Sequence, residues 1–318
     1  MKYKKILAAA IIVAATACPS TAGDENWSHD WKAARARAMR EKKDILIDFN
    51  GSDWCGWCIK LTREVFSQDT FKKTGPKHFI LFEVDFVRKP ENVAKQPRAV
   101  REQNQRLMEA FNVSGFPSIF LADMAGRPFA RTGYRKGGPQ HYLDHLLELK
   151  KIRVSRDEKF AKAKTASGVE KARLLDAALK ALEIPLLPHY ADEVNQILAA
   201  DPDDTLGLKK EYAAKQLDHD VDSFSRALQQ EGADYGKLTV KAEALADRIP
   251  ARGEMAQRFL MARAQLAFLK SSPEDPKKGD FKILQKGYQK AIEAAPDSKL
   301  ARRLKAIVRN IMKRLEKK

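Results

Sequence analysis

The chain is poor in cysteine. Its 318 residues hold three, Cys18, Cys55 and Cys58, too few for a fold stapled by a disulfide network. A second Cys-x-x-Cys pair is missing, so a four-thiolate zinc site cannot be assembled. His141 and His145 lie one helical turn apart, but on a basic amphipathic stretch that does not favour a cation, and no metal is expected. After the first twenty residues no apolar run is long enough to cross a bilayer as a helix. Nucleotide-binding motifs are absent as well. The chain is basic, with 59 Lys and Arg against 42 Asp and Glu and a net charge of +17. These charges are interleaved with acids throughout and join no nucleic-acid motif, so nucleic acid is not an expected partner. The densest basic segment, "KLARRLKAIVRNIMKRLEKK", has apolar residues at helical spacing and reads as an amphipathic helix with a solvated face.

What is present describes a soluble globular protein: 44% hydrophobic and 32% charged residues, over a length that suits two units with separate cores. The beginning, "MKYKKILAAAIIVAATACPSTAGDENW", has a lysine-rich start, a short apolar run and small residues, the pattern of an export signal over 1–22. Two processing outcomes compete. Cleavage after Ala22 fits Ser20-Thr21-Ala22 and leaves a periplasmic or secreted protein. Alternatively Cys18 carries a lipid tether and makes a membrane-anchored lipoprotein, although Ala15 stands where a large aliphatic residue is usual. Either way Cys55 and Cys58 are the thiols left in an oxidising compartment.

Periodicity divides the rest at about residue 152. Over 25–152 the expected order is a helix (25–43), the strand "DILIDF", a helix from about Cys55 to Lys73, the strand "HFILFEVDF", a polar loop (87–100), a helix, two strands turning at Ala125-Gly126, and a helix opened by Gly-Pro. That is a mixed α/β sheet covered on both faces. From 153 to 318 no strand pattern appears, and nine helical pieces are expected. The endings "AADPDD" and "EAAPDS" resemble the punctuation of tetratricopeptide arrays, with irregular spacing and without the aromatic positions. An all-α helical bundle or degenerate repeat follows from this.

Cys55 and Cys58 sit in "ILIDFNGSDWCGWCIKLTREVF", after a strand and a short loop, at the start of a helix. Three roles suit such a pair: half a metal site, a structural staple, or thiol–disulfide exchange. A staple across two residues closes too short a loop to restrict the unfolded chain much. Exchange suits the placement, because unpaired N–H groups and the helix dipole stabilise a thiolate at a helix start. A partner one turn along can resolve a mixed disulfide. Trp54 and Trp57 would offer apolar surface around the sulfur.

Taken with "GFPSIFLAD" about sixty residues later, this stretch resembles the thioredoxin superfamily over residues 27 to 150. It is most similar to the exported branch that includes the periplasmic C-terminal domain of the electron conductor DsbD. The resemblance implies a thioredoxin-like fold and an exported reductase or isomerase of protein disulfides. In it Cys55 is the attacking thiol, Cys58 the resolving thiol, and Asp48 a buried acid handling the proton of Cys58. Because the loop 50–53 is one residue longer than in thioredoxin, Asp53 is an alternative acid or a helix cap. Gly56 and Trp57 fill the space between the cysteines, and Phe116-Pro117 matches the cis-proline that faces them. Trp54, Gly56, Trp57, Phe116 and Pro117 are thus the expected substrate contacts. The redox-active disulfide itself is the only cofactor expected. The expected partners are protein thiol or disulfide substrates and a membrane electron donor, with the helical half recruiting a partner. The rival reading is a non-catalytic scaffold that keeps the fold.

Overall fold

The computed structural model describes residues 26–182, 184–229, 232–273, 275 and 279–316; the expected export signal and Cys18 lie outside them. Among the described residues no helix is long and apolar enough to cross a membrane.

A five-stranded sheet carries the first half, in the order β1-β3-β2-β4-β5. Its strands are β1 (Trp27–Ser28), β2 (Asp44–Asn50), β3 (Phe79–Asp85), β4 (Ser118–Ala122) and β5 (Pro128–Thr132). β3 runs parallel to β1 and β2, while β4 is antiparallel to β2 and β5. Every residue of β2 is buried, as an apolar run covered on both faces requires. Register sorts its side chains. Ile45, Ile47 and Phe49 pair with Ile80, Phe82 and Val84, whereas Leu46, Asp48 and Asn50 pair with Leu81, Glu83 and Asp85. Because alternate residues share a face, one face is wholly apolar and the other turns polar toward the end of β2. The apolar face meets α1 (Trp31–Glu41) and Phe111, which follows α5 (Arg98–Ala110). There Trp31, Phe49, Phe82, Phe111 and Phe120 form one ring cluster with centroids 5.1–6.0 Å apart.

Several expectations need correction. Residues 25–43 are not one helix. Asp30 caps α1 by accepting from the N–H of Ala33 at 3.0 Å, and Trp27–Ser28 adds a strand beside Leu81 and Phe82. The expected helix from Cys55 to Lys73 is α2 (Gly56–Leu61), a π-helical turn (Thr62–Phe66), and a separate α3 (Asp69–His78). The supposed loop 87–100 holds α4 (Pro90–Lys95) and the start of α5. Its two prolines begin helices, Pro90 in the first turn and Pro97 as the residue before α5, where a missing N–H costs nothing.

α6 (Gly138–Ala163) is a single helix of 26 residues, about 39 Å long. It replaces two expected helices, so residue 152 falls in its interior. Its first half puts Tyr142, Leu143 and Leu146 under the sheet, and its second half buries Arg156. Arg156 donates to Asp123 at 3.0 Å and to the hydroxyl of Tyr190, which in turn donates to the carbonyl of Pro128 at 3.0 Å. Tyr190 ends a 3₁₀ helix, Ile184–Tyr190. α7 (Gly168–Leu179), this 3₁₀ helix and α8 (Ala191–Ala200) thereby share the core of the sheet, which extends from Ala34 to Tyr212. α9 (Leu208–Ala227), α10 (Tyr235–Ala246) and α11 (Glu254–Ser271) enclose a second core. α11, α12 (Phe281–Ala294) and α13 (Lys299–Leu315) enclose a third. The pieces 204–216 and 220–230 are one helix, α9. Among the described residues this half contains no strand.

Candidate active site

The loop that leads from β2 to α2 is built around Gly51. Its carbonyl accepts from the N–H of Trp54 at 3.2 Å and of Cys55 at 2.8 Å. The Trp54 ring lies over Gly51 so closely that a Cβ there would sit 2.4 Å from the indole. Ser52 is tied to Asp85 through its N–H at 2.9 Å and its hydroxyl at 2.6 Å. Asp53 does not cap the helix, whose N-cap is Cys55. It accepts from the N–H groups of Arg88 and Lys89 and from Asn92, holding the segment after β3. That corrects the expectation for Asp53.

Cys55 is itself the N-cap of α2. Its sulfur accepts from the N–H of Cys58 at 3.2 Å, and the two cysteines are joined as a disulfide with Cα atoms 5.2 Å apart. Cys55 is 7% exposed and Cys58 2%, so Cys55 is the more reachable sulfur. A helix of these residues starting here directs its free N–H groups at Cys55, which favours negative charge on that atom once the bond is reduced. Gly56 has open space where a side chain would stand. Trp57 is 57% exposed, packed at a tilt against Tyr134 with ring centroids 5.2 Å apart and flanked by Lys60. Tyr134 donates to Glu64 at 2.6 Å. Neither Lys60 nor Tyr134 was expected from the sequence.

Phe116–Pro117 is a cis peptide. Phe49 pairs with Ser118, which places Pro117 beside the end of β2 where the cysteine loop leaves it. Phe116 packs on Trp54 at 5.6 Å and Phe86 at 5.4 Å, and the Trp54 indole N–H donates to the Phe86 carbonyl at 2.6 Å. Trp54, Phe116 and Pro117 thus gather on one side of Cys55, and Trp57 lies on the exposed side.

Asp48 is 3% exposed. Burial pushes its carboxyl up to about 8, opposed by a hydrogen bond from Asn50 and reinforced by the charges of Glu83 and Asp85. The Asn50 amide donates to Asp48 at 3.0 Å and to Glu83 at 2.8 Å. Burial also raises Glu83, whose outer oxygen lies 3.5 Å from His29. Asp48 Oδ1 and Asn50 Oδ1 receive no hydrogen bond from the protein. Asp48, Glu83 and His29 share a cavity of about 150 Å³ with Trp27, Thr62, Phe66 and Ser67, large enough for water to meet the Asp48 carboxyl. Asn50, Glu83 and His29 escaped the sequence reading because only strand register brings them to Asp48. His145 bonds Thr132 at 2.9 Å, and among the described residues no metal-ligand cluster occurs.

Residues 31–149 match the family model of the thioredoxin-like domain. Over 135 residues the chain is 33% identical to the disulfide bond reductase DsbH of Chlamydia pneumoniae, covering 42% of this chain and 78% of that protein. The chain belongs to the thioredoxin-like disulfide oxidoreductases. A solved structure of a DsbH oxidoreductase is 31% identical, with a TM-score of 0.37, over 43% of this chain and 92% of its own. The oxidised C-terminal domain of DsbD from Neisseria meningitidis is 20% identical, with a TM-score of 0.26, over 37% of this chain and 90% of its own. Residues after 149 lie outside the thioredoxin-like match.

Proposed function

We propose that the protein is an exported reductase or isomerase of protein disulfides, with Cys55 as nucleophile and Cys58 as resolving thiol. The observation that carries this reading is the Cys55 sulfur at the start of α2, bonded to Cys58 and accepting its N–H. The reduced pair reacts in two steps. The Cys55 thiolate attacks one sulfur of a substrate disulfide, forming a mixed disulfide and releasing one substrate thiolate, which takes up a proton. Cys58 then gives its proton to Asp48 in the fraction of molecules whose carboxyl is ionised, a fraction that grows as pH approaches 8, and attacks the Cys55 sulfur. That expels the second substrate thiolate and leaves the Cys55–Cys58 disulfide. Two electrons pass to the substrate, so a dithiol donor must restore the pair, and a membrane electron-donor protein suits an exported reductase. No further cofactor enters these steps.

Two features support the reducing direction. The residues between the cysteines, Gly56 and Trp57, carry no charge that would favour the reduced form and make the pair a strong oxidant. The relative with 33% identity is named a disulfide bond reductase. Export is supported by the signal-like beginning of the sequence, in either its cleaved or its Cys18-lipidated form. Trp54, Gly56, Trp57, Phe116 and Pro117 form the substrate contact, with cleared space over Gly56. Insulin reduction with dithiothreitol as donor tests the reading. Wild type is expected to accelerate precipitation and Cys55→Ser to abolish the acceleration. Equal rates with both proteins would instead favour a non-catalytic scaffold.

A further inference from the structure

A cavity of about 880 Å³ opens on the Trp54 and Phe116 side of the cysteines and ends against α9. Its near wall is the aromatic pair and the loop before Pro117, and its far wall is the turn of α9 around Ser223, Arg226 and Ala227. The two walls belong to one packed body, because the Arg156–Tyr190–Asp123 contacts and the shared core join the sheet to the helices before α9. Its volume falls in the range of a ligand site, of order 300–1,000 Å³. Its lining runs from Trp54 and Phe116 beside the cysteine loop to Ser223, Arg226, Ala227 and Gln229 at the end of α9.

The charges in this groove are unbalanced. Arg88, Arg101 and Arg226 line it against Asp85 and Glu109. Both oxygens of Asp85 already accept from Ser52, and Glu109 accepts from Gln105 at 3.0 Å. The Arg88 guanidinium stacks on Trp54 at 3.5 Å. Arg101 spends its hydrogen bonds on the neutral carbonyls of Val93 and Gln96. At the far wall, Arg226 Nη2 is buried and has no hydrogen-bond partner in the protein. Burial disfavours its charge; Asp222 favours it and Arg131 opposes it. Asp222 is itself engaged by Arg258 at 2.5 Å. Arg226 as a whole is half-buried, and a guanidinium with one nitrogen left unpartnered at the wall of a groove suits a carboxylate or another planar anion.

We propose that this groove holds an extended, acidic segment of the disulfide-bearing polypeptide, with one of its carboxylates on Arg226 and its cystine delivered past Trp54 and Phe116 to Cys55. This rests on the reading of the protein as a protein-disulfide oxidoreductase and names the class of substrate it takes. A polypeptide suits the site because an extended backbone can span from the Pro117 loop to α9, and the loop edge offers main-chain hydrogen bonds. A nucleic-acid strand suits it less, because Trp54 and Phe116 pack edge-to-face on each other and Arg88 covers the Trp54 ring.

Binding is tested apart from turnover. A fluorescein-labelled, cysteine-free twelve-residue peptide rich in Glu is titrated with the full chain by anisotropy, beside the same peptide with Gln for Glu. The acidic peptide is expected to bind at least about tenfold more tightly, with the difference shrinking as salt rises. Arg226→Gln is expected to remove most of that preference. Arg101→Glu, on an exposed residue that no core depends on, is expected to weaken the acidic peptide by about fivefold. Equal affinities for the two peptides, a preference unchanged in both variants, or tighter binding of an oligothymidylate than of the acidic peptide would each overturn the proposal. Reduction of the small disulfide 5,5′-dithiobis(2-nitrobenzoate) by wild type is measured in parallel. Its absence would refute the oxidoreductase reading and leave the binding result to stand or fall by itself.

Discussion

Where β2 begins, Asp44 meets Arg153 at 2.9 Å and Lys150 at 3.4 Å, and at the same end of the sheet Asp123 meets Arg156 at 3.0 Å and Arg127 at 3.3 Å. Four residues along β2, about 13 Å away, Asp48 is equally buried. There it faces the amide of Asn50, the carboxyls of Glu83 and Asp85, and the phenol of Tyr142. Burial opposes ionisation at both ends. At the far end cations from α6 and from the β4–β5 turn oppose that penalty, although burial still holds the Asp44 carboxyl above its usual range, and the carboxylates serve as anchors for α6. At the cysteine end the strongest neighbouring charges are further carboxylates, and the cheaper outcome is for Asp48 to keep its proton until about pH 8. The same side chain is therefore a structural anion in one place and a proton store in another, according to what the neighbouring element supplies.

The contrast can be broken most severely at Arg156. Arg156→Met removes one of the two cations on Asp123 and the guanidinium hydrogen bonds to Asp123, Tyr190 and Asp157, and is expected to cost about 3–5 kcal/mol summed over these charge-assisted bonds, measured by urea unfolding at pH 7. A loss below about 1 kcal/mol would mean that charge does not hold that end.

At the other end the sign reverses. Asp48 has a folded pKa raised to about 8 over an unfolded value near 3.9, so its contribution to stability is full below about pH 4 and is lost as pH rises through 8. Asp48→Asn is accordingly expected to leave stability unchanged near pH 4 and to raise it by about 3–5 kcal/mol at pH 8 and above. At pH 8 and above, where Asp48 is ionised, the same variant should accumulate the mixed disulfide during turnover, because Cys58 loses its proton acceptor. Pre-steady-state trapping of that species, with unfolding curves across pH, tests both halves. A pH-independent stability difference would contradict the assignment.

Glu83→Gln sharpens the comparison with a smaller effect. Removing one carboxylate from the pair joined by Asn50 should lower the Asp48 pKa by about one unit, read from the carboxyl infrared band of the oxidised protein. No shift would show that Glu83 and Asp48 ionise independently.

Much of this arrangement was legible in the chain. β2 and β3 are continuous apolar runs, Cys55 and Cys58 follow the first, and Phe116-Pro117 precedes a third. What stayed hidden depends on partners distant in sequence. Trp27–Ser28 is a strand only because Leu81 and Phe82 accept it. Glu83 reaches Asp48 only through parallel register. The π-helical turn at Thr62–Phe66 has no compositional mark, since the same residues suit an uninterrupted helix. The composition changes near 152 because α6 passes from the sheet to a helical neighbour, not because the chain breaks there. Tyr190 and Arg226 carry no sequence signal at all, and only the packing of the helical half turns the first into an anchor and the second into the end of a groove.

The account rests on a sulfur made reactive by the start of α2, and alkylation measures that directly. The reduced protein is treated with iodoacetamide from pH 4 to 10, and the labelled residue is identified by mass spectrometry. Label is expected on Cys55 with little on Cys58, and the rate should reach half its maximum well below the roughly pH 8.5 of a free cysteine. A midpoint at that free-thiol value, or equal labelling of the two cysteines, would contradict the account.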